Sequence, residues 1–78
     1  MDKNKFIKNF TSQFIDADEI SIDETTHFRD IGSWDSMTGM AVLVMIQDDY
    51  GVDMNDADLK KCITVQDIFD FISDKKNP

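Results

Sequence analysis

Seventy-eight residues suffice for one hydrophobic core and leave no room for two. Sixteen acidic against 8 basic side chains give a net charge of −8, which argues against nucleic-acid phosphates and anionic membrane surfaces as partners. An apolar content of 41% is enough to fold, and a single cysteine, Cys62, excludes a disulfide framework.

Only 3 Gly and 1 Pro favour helices over a loop-rich or all-β chain. The polar start, Met1 to Lys5, is not followed by a long apolar run, so no ordinary signal peptide is expected. No segment reaches the length of a membrane span. The expectation is a cytoplasmic monomer that neither inserts in membranes nor binds nucleic acid, and whose acidity suits basic protein partners.

In chain order, Phe6, Ile7, Phe10 and Phe14 recur at helical spacing and predict a first helix over about 3–15. Residues 16–35 lack a helical period and predict a long loop, pinned to the core by Ile20, Ile22, Phe28 and Ile31. Gly32 is expected to supply a turn that a residue with a Cβ would accept less easily. A second helix is predicted over about 36–50, with Gly51 as its stop. Asn55 or Asp56 can cap a short third helix, about 56–62, through Leu59, Cys62 and Ile63. Thr64 and Asp67 form a box-like start to a fourth helix, about 65–75, whose stripe is Val65, Ile68, Phe69 and Ile72. Lys75 and Lys76 oppose its negative dipole end.

The second helix is more apolar than one core can use. Turning ~100° per residue separates two faces. Gly39, Val42, Leu43, Ile46 and Tyr50 share one; Met37, Met40, Ala41, Val44 and Asp48 share the other. Asp48 marks the second face as wet, because burying a lone carboxylate is costly. Exposed methionines suit a surface that meets several partners in turn. Gly39 falls on the packed face, where a missing side chain permits close approach.

Asp35-Ser36 at the start of that helix admits more than one role. Both residues favour a helix N-terminus as plain caps. A catalytic serine needs a base, and the chain has one histidine, His27, and no Gly-x-Ser-x-Gly elbow. The remaining reading is an acceptor for a phosphate-bearing group, which the free N–H groups and positive dipole end of a helix would stabilise. Asp30 and Asp35 would then face the modifying enzyme or its metal. These residues alone do not decide between cap and acceptor.

Phe28-Arg29-Asp30-Ile31-Gly32 followed by Trp34-Asp35-Ser36-Met37 resembles the Asp-Ser-Leu site of acyl carrier proteins and related carrier domains. Gln47-Asp48-Asp49-Tyr50-Gly51-Val52 and Thr64-Val65-Gln66-Asp67-Ile68 resemble two further segments of that family, so the similarity covers nearly the whole chain. The resemblance implies an all-α bundle of three main helices plus one short helix, with a long loop between the first two, forming one carrier domain over 1–78. It implies 4′-phosphopantetheine from coenzyme A on Ser36, installed by a phosphopantetheinyl transferase that Asp35 helps to dock. It implies acyl or aminoacyl cargo held as a thioester, no enzymatic activity, and loading ligases or synthases with basic docking patches. Met37, Met40, Ala41, Val44 and Asp48 match the family's partner-reading positions. Trp34 and Met37 replace a small residue and a leucine common in housekeeping fatty-acid carriers, and Asn55 replaces a common proline. These departures look more like specialised carriers, such as D-alanyl carriers.

The rival function is an acidic helical adaptor without a prosthetic group, using the Met37, Met40 and Val44 face. Calcium binding at Asp53, Asn55 and Asp58 is weaker still, since an EF-hand loop starting at Asp53 puts Asp58 where glycine belongs. Cys62, beside Leu59 and Ile63, is expected to be a small buried hydrophobe.

Overall fold

Asp2 opens the first helix by accepting the Lys5 N–H on its carboxylate at 3.2 Å, in a computed structural model that describes residues 1–76. This helix, α1, covers Lys3–Thr11 and is shorter than the expected 3–15. The reason lies in Thr11, Ser12 and Gln13, whose side chains take carbonyls of Ile7 and Asn9. Beyond Thr11 the amides of Gln13 and Phe14 bond three residues back, and the helix tightens into turns. Phe14 still reaches the core, because successive tight turns keep it near the stripe of Phe6 and Phe10. Ile15 is thrown outward and is 95% exposed.

The long loop contains two 3-10 turns, Ala17–Glu19 and Phe28–Asp30. Phe28 is fully buried, while Ile20, Ile22 and Ile31 pack against the core from partly buried positions. Gly32 does lie in a turn, between the Ile31 carbonyl and the Trp34 N–H that bonds it, but the turn does not require glycine: its φ is not positive and a Cβ there would meet nothing within 4 Å.

Helix α2 covers Ser36–Tyr50, starting after Asp35 and stopping at Gly51, whose φ of 67° is left-handed. Helix α3 covers only Asp56–Lys60, not 56–62. Asn55 and Asp58 close a capping box at its start, through bonds of 2.8 Å and 3.2 Å. Its end comes early because the Arg29 guanidinium takes the Leu59 carbonyl at 2.7 Å and also bonds that of Cys62. Cys62 is buried, and burial together with nearby Asp67 pushes its thiol pKa up. Ile63 lies outside α3 and is exposed.

Helix α4 covers Val65–Lys76 and buries Val65, Ile68 and Ile72. Its first amides are answered from the loop: Val65 and Gln66 donate to the carbonyls of Thr26 and Glu24 at 3.1 and 3.0 Å. An isolated bridge joins His27 to Thr64 beside them. Lys76 reaches across to the Tyr50 carbonyl at 3.2 Å, at the negative end of α2. The described residues therefore form an all-α bundle of three main helices and one short one. Phe6, Phe10, Phe28, Val42, Ile46 and Ile68 form the centre of its core.

The capping box of α4 gives a pH signature. Asp67 Oδ2 accepts the N–H of Thr64 at 3.0 Å and of Ile63 at 2.8 Å, and these bonds hold its carboxyl below the ordinary 3.8. A depressed folded-state pKa contributes stability that is full above the unfolded value and lost as pH falls through the folded one. Asp67→Asn is therefore expected to melt below wild type at neutral pH. That gap should begin to close near pH 3.8 and vanish below it, in thermal melts followed by circular dichroism across a pH series.

Candidate functional site: the start of α2

The start of α2 is held from three directions. Ser33 Oγ donates to Asp16 Oδ1 at 2.6 Å, tying the loop to the segment after α1. The Trp34 N–H donates to the Ile31 carbonyl at 2.9 Å, closing a turn just before the helix. Asp35 lies extended at the cap and accepts the Thr38 N–H at 2.8 Å. That bond, with the Thr38 hydroxyl and the Met37 N–H, holds the Asp35 carboxyl below its ordinary range.

Ser36 is the first helical residue, and it is exposed. Among the described residues its hydroxyl has no hydrogen-bond partner and so no base to activate it. Asp35 is adjacent, but a carboxylate held below its usual pKa is a weak base. His27 is bridged to Thr64 at the start of α4. The site offers a reachable hydroxyl.

Met37 is 78% exposed, Met40 67% and Val44 58%, with Asp48 exposed on the same side and Ala41 half-buried. On the opposite side Val42, Met45 and Ile46 are buried. Tyr50 and Leu43 are only partly buried: the Tyr50 hydroxyl accepts from Asn9 at 3.3 Å, and Leu43 faces a groove.

That groove, of about 660 Å³, runs from Ser36 between α2 and α3. Trp34, Gly39, Met40, Leu43 and Leu59 line it, and Arg29, Asp56 and Lys60 stand at its polar rim. Asp56 and Lys60 pair at 3.2 Å. Sequence periodicity missed the groove, since it put Leu43 with the core and could not show that α3 crosses beside it. A second shallow hollow on the other flank of Ser36 brings Ile15 beside Met37. Ile15 was not among the candidate residues; an isoleucine directly after Phe14, off the stripe of Phe6, Phe10 and Phe14, was the available signal. The side chains of Asn55 and Asp58 are engaged in the α3 capping box.

Residues 5–72 match the family described as "phosphopantetheine attachment site". The acyl carrier protein of Thermosynechococcus vestitus is 31% identical over 65 residues, covering 76% of this chain and 79% of the relative. No solved structure matches. The chain belongs to the phosphopantetheine-binding acyl carrier family. Such a protein is a carrier and not a catalyst, and its prosthetic group is 4′-phosphopantetheine.

The residues at the start of α2 fit such a group. An exposed hydroxyl on the first residue of a helix lies where the dipole favours a phosphate. The apolar groove beside it offers the methyl and methylene portions of an arm a surface out of water. Among the described residues no helix is long and apolar enough to cross a membrane.

Proposed function

We propose that Ser36 carries the 4′-phosphopantetheine arm, and that this chain presents acyl or aminoacyl thioesters on it to partner enzymes. The observation that supports this most is the combination of an exposed, unpartnered Ser36 hydroxyl with an apolar groove opening beside it. In attachment, Ser36 Oγ forms the new bond to phosphorus and coenzyme A loses its nucleotide portion. The hydroxyl proton passes to a base on the transferase, since no side chain among the described residues bonds the Ser36 hydroxyl. Asp35 keeps its charge through its bonds to Thr38 and so offers the transferase a fixed anion at the attachment point.

Met37, Met40, Ala41, Val44 and Asp48 then form the surface that partners read. An apolar strip bordered by carboxylates suits loading ligases and synthases whose docking patches are basic. The departures at Trp34 and Met37 favour a specialised carrier, in the cytoplasm, over a housekeeping fatty-acid one.

Incubation with coenzyme A and a permissive transferase is expected to add the mass of one phosphopantetheine to the intact protein. Ser36→Ala should gain nothing while keeping its melting temperature. Absence of any gain in the folded wild type, with several transferases, would favour a prosthetic-group-free adaptor instead.

A further inference from the structure

The groove beside Ser36 has an unusual floor. Trp34 lies half-buried in it, with its ring centroid 4.9 Å from that of Phe28 and 6.0 Å from that of Phe14. Both phenylalanines belong to the buried core. The benzo edge of the indole presses on α2 at Gly39: a Cβ there would stand 3.4 Å from Trp34 Cζ2 and 3.8 Å from Leu59 Cδ2. Trp34 and Leu59 thus meet over the place where Gly39 has no side chain. The indole is a partition, with open groove on one side and core aromatics on the other.

We propose that Trp34 is a specificity-determining residue that limits the cargo sheltered by this carrier to a short acyl group. The proposal rests on Ser36 being the attachment site. A cargo folding back from Ser36 enters the groove lined by Met40 and Leu43 and lies against the flat indole. Going deeper would require displacing an aromatic ring packed at a 60° tilt against Phe28. Methylenes beyond the indole stay at the charged rim of Arg29, Asp56 and Lys60, where they gain no burial. Gly39 gives the indole room: a Cβ there would already reach ordinary van der Waals contact with it, at 3.4 Å.

Trp34 is the single tryptophan of the chain, so its fluorescence reports the groove directly. The test uses the full-length protein loaded by a transferase with butyryl-, octanoyl- or palmitoyl-coenzyme A. Intact mass checks loading at Ser36; failure there sinks the attachment reading and is seen before cargo is considered. On the loaded forms two quantities are read: Trp34 emission, and protection of the thioester from hydroxylamine. Each methylene taken out of water is expected to raise protection up to about fourfold. In wild type, butyryl should shift the emission to the blue relative to the unacylated holo form. Octanoyl and palmitoyl should be no better protected than butyryl. In Trp34→Leu, protection should keep growing to octanoyl. If that variant fails to fold, the wild-type chain-length series decides alone. Rising protection through palmitoyl in wild type, an emission unmoved by butyryl, or a Trp34→Leu series with the wild-type plateau would each overturn the proposal.

Discussion

Ile46→Glu is expected to leave the chain unfolded at 25 °C, while Val44→Glu two residues away leaves it folded. Both changes replace a β-branched residue by glutamate in the same helix, so intrinsic helix propensity favours both slightly and cancels in the comparison. Burial is what differs. Ile46 is fully buried among the core residues, whereas Val44 is 58% exposed. At position 46 the substitution forfeits roughly 1.5–3 kcal/mol of apolar burial and adds a desolvated carboxylate costing several kcal/mol more. A chain of this length has a total stability on the order of 4–12 kcal/mol, so the loss takes most or all of it. At position 44 the new carboxylate stays in water. It meets Asp48 one turn on, a like-charge pair that costs only about 0.2–0.5 kcal/mol. The melting temperature of Val44→Glu should therefore fall by no more than about 4 °C. Circular dichroism melts of the two variants check this; equal loss of helix in both would mean that the exposed flank of α2 is packed against something.

How far these features were legible from the residues depended on the range of the interaction that sets them. Local chemistry was readable. The all-helical class follows from period and composition, and α2 is bracketed by Asp35, whose carboxylate caps it, and Gly51, whose left-handed backbone ends it. Interactions between distant segments were not. Arg29 looks like a surface charge in a loop, yet it clamps the carbonyls at the end of α3 thirty residues on, and so shortens that helix. Gly32 marked a turn correctly, but nothing in the turn demands glycine, since its φ is not positive and the space around it is open. Phe14 kept the helical spacing although the helix ends at Thr11, since a tight turn and an α-helical turn carry a side chain round by similar angles. Leu43 shows the same limit for the site. Period assigns a residue to a face, but only the crossing of a second element tells whether that face is core or groove.

Phe28→Ala is expected to lower the melting temperature by at least about 12 °C, from a cost of roughly 3–5 kcal/mol for emptying a fully buried phenylalanine site. Phe28 is where the long loop joins the core. Its ring lies 5.9 Å from Phe10 of α1, edge-on, and 4.9 Å from Trp34, and the Arg29 guanidinium stands 4.7 Å from it. Removing it takes the support from under Trp34, and Trp34 is the second residue before Ser36. The loss should thus be felt at the attachment site as well as in global stability. Ile68→Ala supplies the control, because Ile68 is equally buried but lies on α4. Its expected cost, about 2–5 kcal/mol, overlaps that of Phe28→Ala. At a temperature where both variants are still folded, the rate of arm attachment by a transferase should fall in Phe28→Ala and stay near wild type in Ile68→Ala. Equal rates in the two would mean that the Asp35 cap and the Ser33–Asp16 bond hold Ser36 in place without help from the aromatic cluster beneath it.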